Sequence, residues 1–202
     1  MKIICIGRNY AKHAKEMNAE LPTEPLFFMK PDTALLKENN FYYPDFTNDL
    51  HHEIELVIKI CKHGKHIALE HASNYYEKVG LGIDFTARDI QKQCKEKGQP
   101  WEKAKAFDNS AVLSTHFIDK EKLDQNNIDF SLTVNNKVVQ AGNSEDVIFS
   151  FDQIISHVSK YITLKTGDLI FTGTPEGVGP VQKEDELIGY IGETKMFNLK
   201  IK

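Results

Sequence analysis

Residues 53–60, EIELVIKI, decide the reading of the fold: Ile54, Leu56, Ile58 and Ile60 fall on one side of an extended chain, and Glu53, Glu55, Val57 and Lys59 on the other. That alternation predicts a strand with one buried face. Upstream, KIICIG (2–7) reads as a short buried strand. NYAKHAKEM (9–17) then takes a helical period that aligns Tyr10, Ala14 and Met17 and brings His13 within reach of Glu16. The prolines of LPTEPLFFMKP (21–31) break any helix and predict an irregular or extended path. Downstream, LGIDF (81–85) reads as another strand, and TARDIQKQCKEK (86–97) as a helix capped by Thr86 with Asp89 near its positive end. Asp84 then stands at a strand-to-helix junction. FSLTVNNKVVQ (130–140) predicts two strands joined by a turn at Asn135 and Asn136, since asparagine tolerates left-handed angles. Ser150 is placed to cap a helix over 151–161 with an apolar stripe of Phe151, Ile154, Ile155 and Val158, and LIFTG and KMFNLKI close the chain as strands. Strand signals outnumber helical ones and do not alternate regularly with them, which predicts an α+β, mostly β fold and not a doubly wound sheet.

The remaining features narrow the class. A chain of 202 residues without repeat or low-complexity linker predicts one domain over 1–202. A hydrophobic fraction of 41% and a charged fraction of 27% are ordinary for a globular protein. A formal charge of -4 leaves no global basic field, so no nucleic-acid partner is expected. Cys5, Cys61 and Cys94 are odd in number and far apart, and read as reduced, buried thiols. The apolar run before Arg8 is too short for a signal peptide or a membrane span, so no membrane association and a cytoplasmic address are expected.

Three carboxylates carry the chemistry. Glu53 and Glu55 project from the same strand face, where one hard divalent ion such as Mg²⁺ or Mn²⁺ would relieve their repulsion; a solvated face of two glutamates is the plainer alternative. Asp84 ends an apolar strand, where an acid is rare unless paired or metal-bound, although it could equally serve the helix that follows. Arg88 and Gln91, three apart on that helix, can both point back towards Asp84 and hold a substrate carboxylate, or else form an exposed face. Lys105, between alanines and beside Phe107, is a lysine of lowered pKa, an aimed point charge or, most simply, a surface lysine. FTGTPEGVG (171–179) suits an oxyanion through backbone amides and the Thr174 hydroxyl, and lacks the residues of a phosphate or dinucleotide loop. His13 with Glu16 is the one histidine-carboxylate pair placed on a helical face, where carboxylate would orient imidazole as a base; taken alone, a solvated surface pair is the plainer reading. His51 and His52 face opposite ways, so at most one could approach an ion.

Taken in order, GRNYAKHAKEM, FFMKPDTA, HHEIEL, GIDFTARDIQ, PWEKAKAFD and ITLKTGDLIFTGTPEGVGPV resemble the fumarylacetoacetate hydrolase family over nearly the whole chain, in its short single-domain branch. The resemblance implies a mixed β-sheet rolled into a barrel-like shape with short flanking helices, usually as a homodimer. It implies that Glu53, Glu55 and Asp84 bind Mg²⁺, with Mn²⁺ acceptable and Ca²⁺ an inactive substitute. Arg88, Gln91, Lys105 and Thr174 become substrate contacts. His13, Glu16 and Lys105 become catalytic, the first two on a lid over about 9–24. The activity implied is cleavage of a C–C bond in a small 2-oxo acid, by acylpyruvate hydrolysis or oxaloacetate decarboxylation, through an enolate whose charge the ion stabilises. An isomerase or tautomerase of a related diacid, or a non-catalytic metal- or carboxylate-binding module, are the alternatives.

Overall fold

A computed structural model describes residues 1–202. Its main sheet has seven strands, in the order Leu26–Lys30, Ile3–Gly7, Leu169–Phe171, Ile54–Ile60, Tyr76–Asp84 and Ala111–Leu113, with Ile118–Asp119 also paired to Tyr76–Asp84. Ile3–Gly7 runs parallel to Leu169–Phe171 and the other pairs are antiparallel, so the sheet is mixed. It curls into a half-barrel. A second, five-stranded sheet contains the hairpin Asp129–Val134 and Lys137–Asn143, which pairs onward to Glu186–Ile191 and Thr194–Ile201. Asn135 and Asn136 make the hairpin turn at φ 49° and 65°, as their tolerance of left-handed angles predicts.

One large core of 33 buried residues lines one face of the main sheet and holds Ile54, Leu56, Ile58 and Ile60. Burying each such side chain contributes about 1.5–3 kcal/mol. The opposite face is covered too: Ile3, Cys5, Val57, Ala111, Leu169 and Phe171 form a second cluster. The strand at 54–60 therefore corrects the expectation of one buried face, since only Lys59 is exposed. A central strand needs both faces apolar or satisfied, and Glu53 and Glu55 lie on the same side as Val57. Gly82 belongs to this crowded layer: a Cβ there would meet Phe171 Cε1 and the Val112 carbonyl oxygen at 2.5 Å.

Ser150 caps the helix Phe151–Tyr161 in a full capping box with Gln153, and Phe151, Ile154, Ile155 and Val158 are buried as expected. Thr86 does not cap the next-longest helix, Arg88–Glu96; Ala87 holds the N-cap position with no side-chain bond. Cys5 and Cys94 are buried free thiols, whereas Cys61 is only half-buried. No helix is long and apolar enough to cross a membrane.

Candidate metal and substrate site

The smaller face of the main sheet carries the site, because strand parity sends alternate residues there. Glu55 pairs with Gly82, and the Asp84 N–H donates to the Glu53 carbonyl at 2.8 Å, so two neighbouring strands bring three acids to one end. Oxygens of Glu53, Glu55 and Asp84 all lie within 4.8 Å of one another, and the three residues are 6%, 2% and 1% exposed.

Cations surround them. Lys105 Nζ donates to Glu53 Oε2 at 2.7 Å, Asp84 Oδ2 at 2.8 Å and Thr86 Oγ1 at 2.6 Å, so Thr86, one residue before the N-cap position, serves the site instead of the helix. Arg88 Nη2 donates to Glu53 Oε1 at 2.6 Å, and its Nη1 to Gln91 Oε1 at 2.8 Å. Lys30, fully buried on the edge strand, sits 2.8 Å from Asp84 Oδ1 and donates to Ser110 Oγ at 2.9 Å and to the Lys105 carbonyl. Burial alone would raise the Glu53 carboxyl, but Lys105 and Arg88 outweigh it and hold Glu53 well below the usual range. Glu55 is pushed well above that range by burial and then by Asp84 and Glu53, and the Gly173 N–H at 2.7 Å relieves this only in part. For Lys105 the aimed charge holds, and the lowered pKa and the surface position do not. Its burial lowers the pKa, yet Asp84 and Glu53 more than compensate, so the ammonium is held protonated.

His13 and Glu16 meet as expected, Nδ1 to Oε2 at 3.1 Å, on the short helix Ala11–Glu16. His13 is buried, not solvated, and Glu16 Oε1 also accepts the Gly177 N–H at 3.1 Å, tying the helix to the glycine-rich loop. Eight of the nine residues singled out by sequence, His13, Glu53, Glu55, Asp84, Arg88, Gln91, Lys105 and Thr174, line one cavity, and Glu16 stands behind His13. His52 instead bonds Gln140 Oε1 at 2.8 Å and His51 bonds Asp49 Oδ1 at 2.8 Å, so neither joins the carboxylates.

Two residues escaped the sequence reading. Lys30 lay inside FFMKPDTA, where a charge in an apolar run before Pro31 was the available signal. Gln140 had none: its Oε1 accepts the Ile54 N–H between the two glutamates at 3.1 Å, while its Nε2 donates to Thr174 Oγ1 at 2.9 Å and the Pro175 carbonyl at 3.0 Å. It fastens the glutamate strand to the Thr174 loop.

The residues fit a divalent cation. The donor set is all oxygen, as hard ions prefer, and Asp84 Oδ1 takes no aligned hydrogen bond despite the nearby Lys30. A mixed half-barrel sheet whose three carboxylates meet Lys30, Lys105 and Arg88 defines the class, and the match of residues 2–197 to the "Fumarylacetoacetate (FAA) hydrolase C-terminal" family follows it. The chain belongs to this family. Among its relatives, the mitochondrial oxaloacetate tautomerase FAHD1 of Bos taurus is 45% identical over 187 residues, covering 92% of this chain and 84% of that protein. The oxaloacetate tautomerase YcgM of Escherichia coli (strain K12) is 45% identical over 190 residues, covering 92% and 86%. The crystal structure of fumarylpyruvate hydrolase from Pseudomonas aeruginosa in complex with Mn²⁺ and pyruvate superposes with a TM-score of 0.93 at 36% identity, over 100% of this chain and 89% of that one.

Proposed function

We propose that the chain is a metal-dependent enzyme that forms and reprotonates the enolate of a small 2-oxo acid, with oxaloacetate as the substrate and enol-keto exchange as the reaction. The observation that carries this is the convergence of Glu53, Glu55 and Asp84 on one point beside protonated Lys105 and the His13–Glu16 pair. Mg²⁺ or Mn²⁺ held by the three carboxylates would supply Lewis acidity to a chelating carboxylate and 2-oxo group. Arg88 and Gln91 orient the 1-carboxylate through a guanidinium fork and an amide. Lys105 donates to the oxygen on which enolate charge grows, and the Thr174 hydroxyl gives a second polar contact. Because Glu16 can only accept, it fixes the His13 proton on Nδ1 and leaves Nε2 to move the proton between the enol and C3. In the enol-to-keto direction the C2 hydroxyl loses its proton and C3 gains one, so no other reactant is consumed.

C–C cleavage is the second reading, favoured by the same dyad, which can activate water as well as shuttle a proton. In acylpyruvate hydrolysis water adds at C4, the C3–C4 bond breaks, and C3 is protonated; in decarboxylation CO₂ leaves C3 with no water needed. A homodimer and the 9–24 lid remain part of the proposal, on the resemblance.

Purified protein with Mg²⁺ or Mn²⁺ should speed the loss of oxaloacetate enol absorbance, EDTA should abolish the effect, and a coupled lactate dehydrogenase assay should find no matching pyruvate. Pyruvate formed in step with substrate loss would move the assignment to cleavage. No metal-dependent change with oxaloacetate or acetylpyruvate would leave a binding module.

A further inference from the structure

Arg8 and Lys95 are the two cations of the cavity that no acid answers. Both line it together with Glu53 and Asp84, yet neither makes a hydrogen bond or an ion pair, whereas Lys30, Lys105 and Arg88 each pair with Glu53 or Asp84. Lys95 meets only the Trp101 ring face, 5.6 Å away. Arg8 also holds an uncommon backbone: φ is 60°, in the left-handed region that side chains other than glycine avoid. The next residue enforces it. Asn9 is fully buried, donates to the Phe149 and Thr172 carbonyls at 3.0 and 2.8 Å, and accepts the Phe149 N–H at 2.8 Å. Strain held by over-determined surroundings is typical of functional sites, and here it turns an arginine to the cavity wall. The fields of these cations overlap, since the Lys95 amine is pushed down by burial, then by Arg88 and Arg8, which the pull of Glu53 offsets only in part. An anion placed between them would relieve that repulsion.

We propose that Arg8 and Lys95 form a subsite for a second carboxylate, at the end of the substrate away from the 1-carboxylate taken by Arg88 and Gln91. The enzyme then selects dicarboxylic 2-oxo acids over those ending in a methyl group. This rests on the proposed 2-oxo acid chemistry and adds the choice of substrate class to it. A different destination exists: a mostly apolar cavity of about 250 Å³, lined by Leu26, Phe27, Met29 and Pro100, adjoins the site through Phe28, Trp101 and Lys105. A hydrocarbon end would go there. The two unpaired cations favour the charged occupant.

The test compares kcat/KM for oxaloacetate and acetylpyruvate in the wild type, Arg8→Ala and Lys95→Ala, with metal supplied. The oxaloacetate-to-acetylpyruvate ratio should fall about 10- to 100-fold in Arg8→Ala, the loss expected for a charge-assisted hydrogen bond, and less in Lys95→Ala at the mouth. An unchanged ratio, even with lower overall rates, overturns the subsite. Binding of L-malate and L-lactate, followed by fluorescence of Trp101, the only tryptophan, tests the same point without turnover. Malate affinity should drop in both variants and lactate affinity should drop less; equal loss overturns the proposal. A wild type that binds malate through Arg8 but turns over neither substrate would refute the function and leave the subsite standing. Should Arg8→Ala not fold, the Lys95→Ala ratio and malate affinity decide alone.

Discussion

Replacing Lys30 by methionine keeps the length and removes the charge of a side chain with 1% exposure. The variant loses the 2.8 Å ion pair with Asp84 and the bonds to Ser110 Oγ at 2.9 Å, the Ser110 carbonyl at 3.2 Å and the Lys105 carbonyl. Lys105 would be the one cation left on Asp84. Breaking a buried pair by removing one partner costs about 3–5 kcal/mol, because the remaining charge is stranded. At about 2–4 °C per kcal/mol for a chain of this size, Tm should fall by roughly 6–20 °C. Calorimetry in EDTA at neutral pH measures it. Adding Mn²⁺ at about 100 times its Kd should raise the wild type by about 2.7 kcal/mol, and the variant by more, since Asp84 then has one competitor fewer. A drop below about 2 °C, or an equal metal gain in both proteins, would refute the reasoning.

Gly173→Ala should weaken metal binding in titration calorimetry and cost about 1–3 kcal/mol of stability. Its φ is 104°, its Cβ would sit 2.7 Å from Asn9 Cβ, and its N–H is the backbone donor to Glu55; unchanged metal affinity would mean that bond does not position the glutamate. Asp168 gives a pH test away from the site. Burial raises its carboxyl, but the Lys2 and Lys165 N–H groups at 2.8 and 2.7 Å and the Lys2 ammonium outweigh that, so its folded pKa lies below the ordinary value. Its stabilisation is therefore complete above the unfolded pKa of about 3.9 and lost as pH falls through the folded value. The advantage of wild type over Asp168→Asn in urea unfolding should accordingly shrink between about pH 5 and pH 2, and a constant difference would contradict it. Light scattering should give twice the chain mass of 23.0 kDa, and a particle of single mass would remove the homodimer.

Much of the site was legible because its parts are local patterns. Two glutamates on one strand face, an acid closing an apolar strand and a three-residue helical step from Arg88 to Gln91 are all fixed by the periods of backbone structure. The motif order then placed them together. What escaped are pairings across the fold. Gln140 lies 86 residues from Ile54 and 34 from Thr174, and no periodicity announces a bond over such distances. The choice between an aimed and a deprotonated Lys105 stays open in the sequence for a related reason: the carboxylates that raise its pKa come from other strands. Likewise the strand at 54–60 looked half-exposed because glutamates usually face water, and only the second core shows that their face is closed.

The charges of the pocket also set what a divalent ion would meet there. Lys30, Lys105 and Arg88 are all engaged by Glu53 and Asp84, and Glu55 has no ion pair, so the three acids carry no negative charge in excess of these cations before any ion arrives. A structural metal site supplies enough negative charge to neutralise its ion; these side chains would leave a divalent cation in excess, and Arg8 and Lys95 add to the imbalance. A doubly charged anion would offset the charge that the ion brings. Metal and dicarboxylate should therefore bind with positive coupling, each raising the affinity of the other by the same factor. Glu55 shows the same logic within the chain: it has no ion pair of its own, its carboxyl is held up by burial and then by its acidic neighbours, and a divalent ion is the partner that would ionise it.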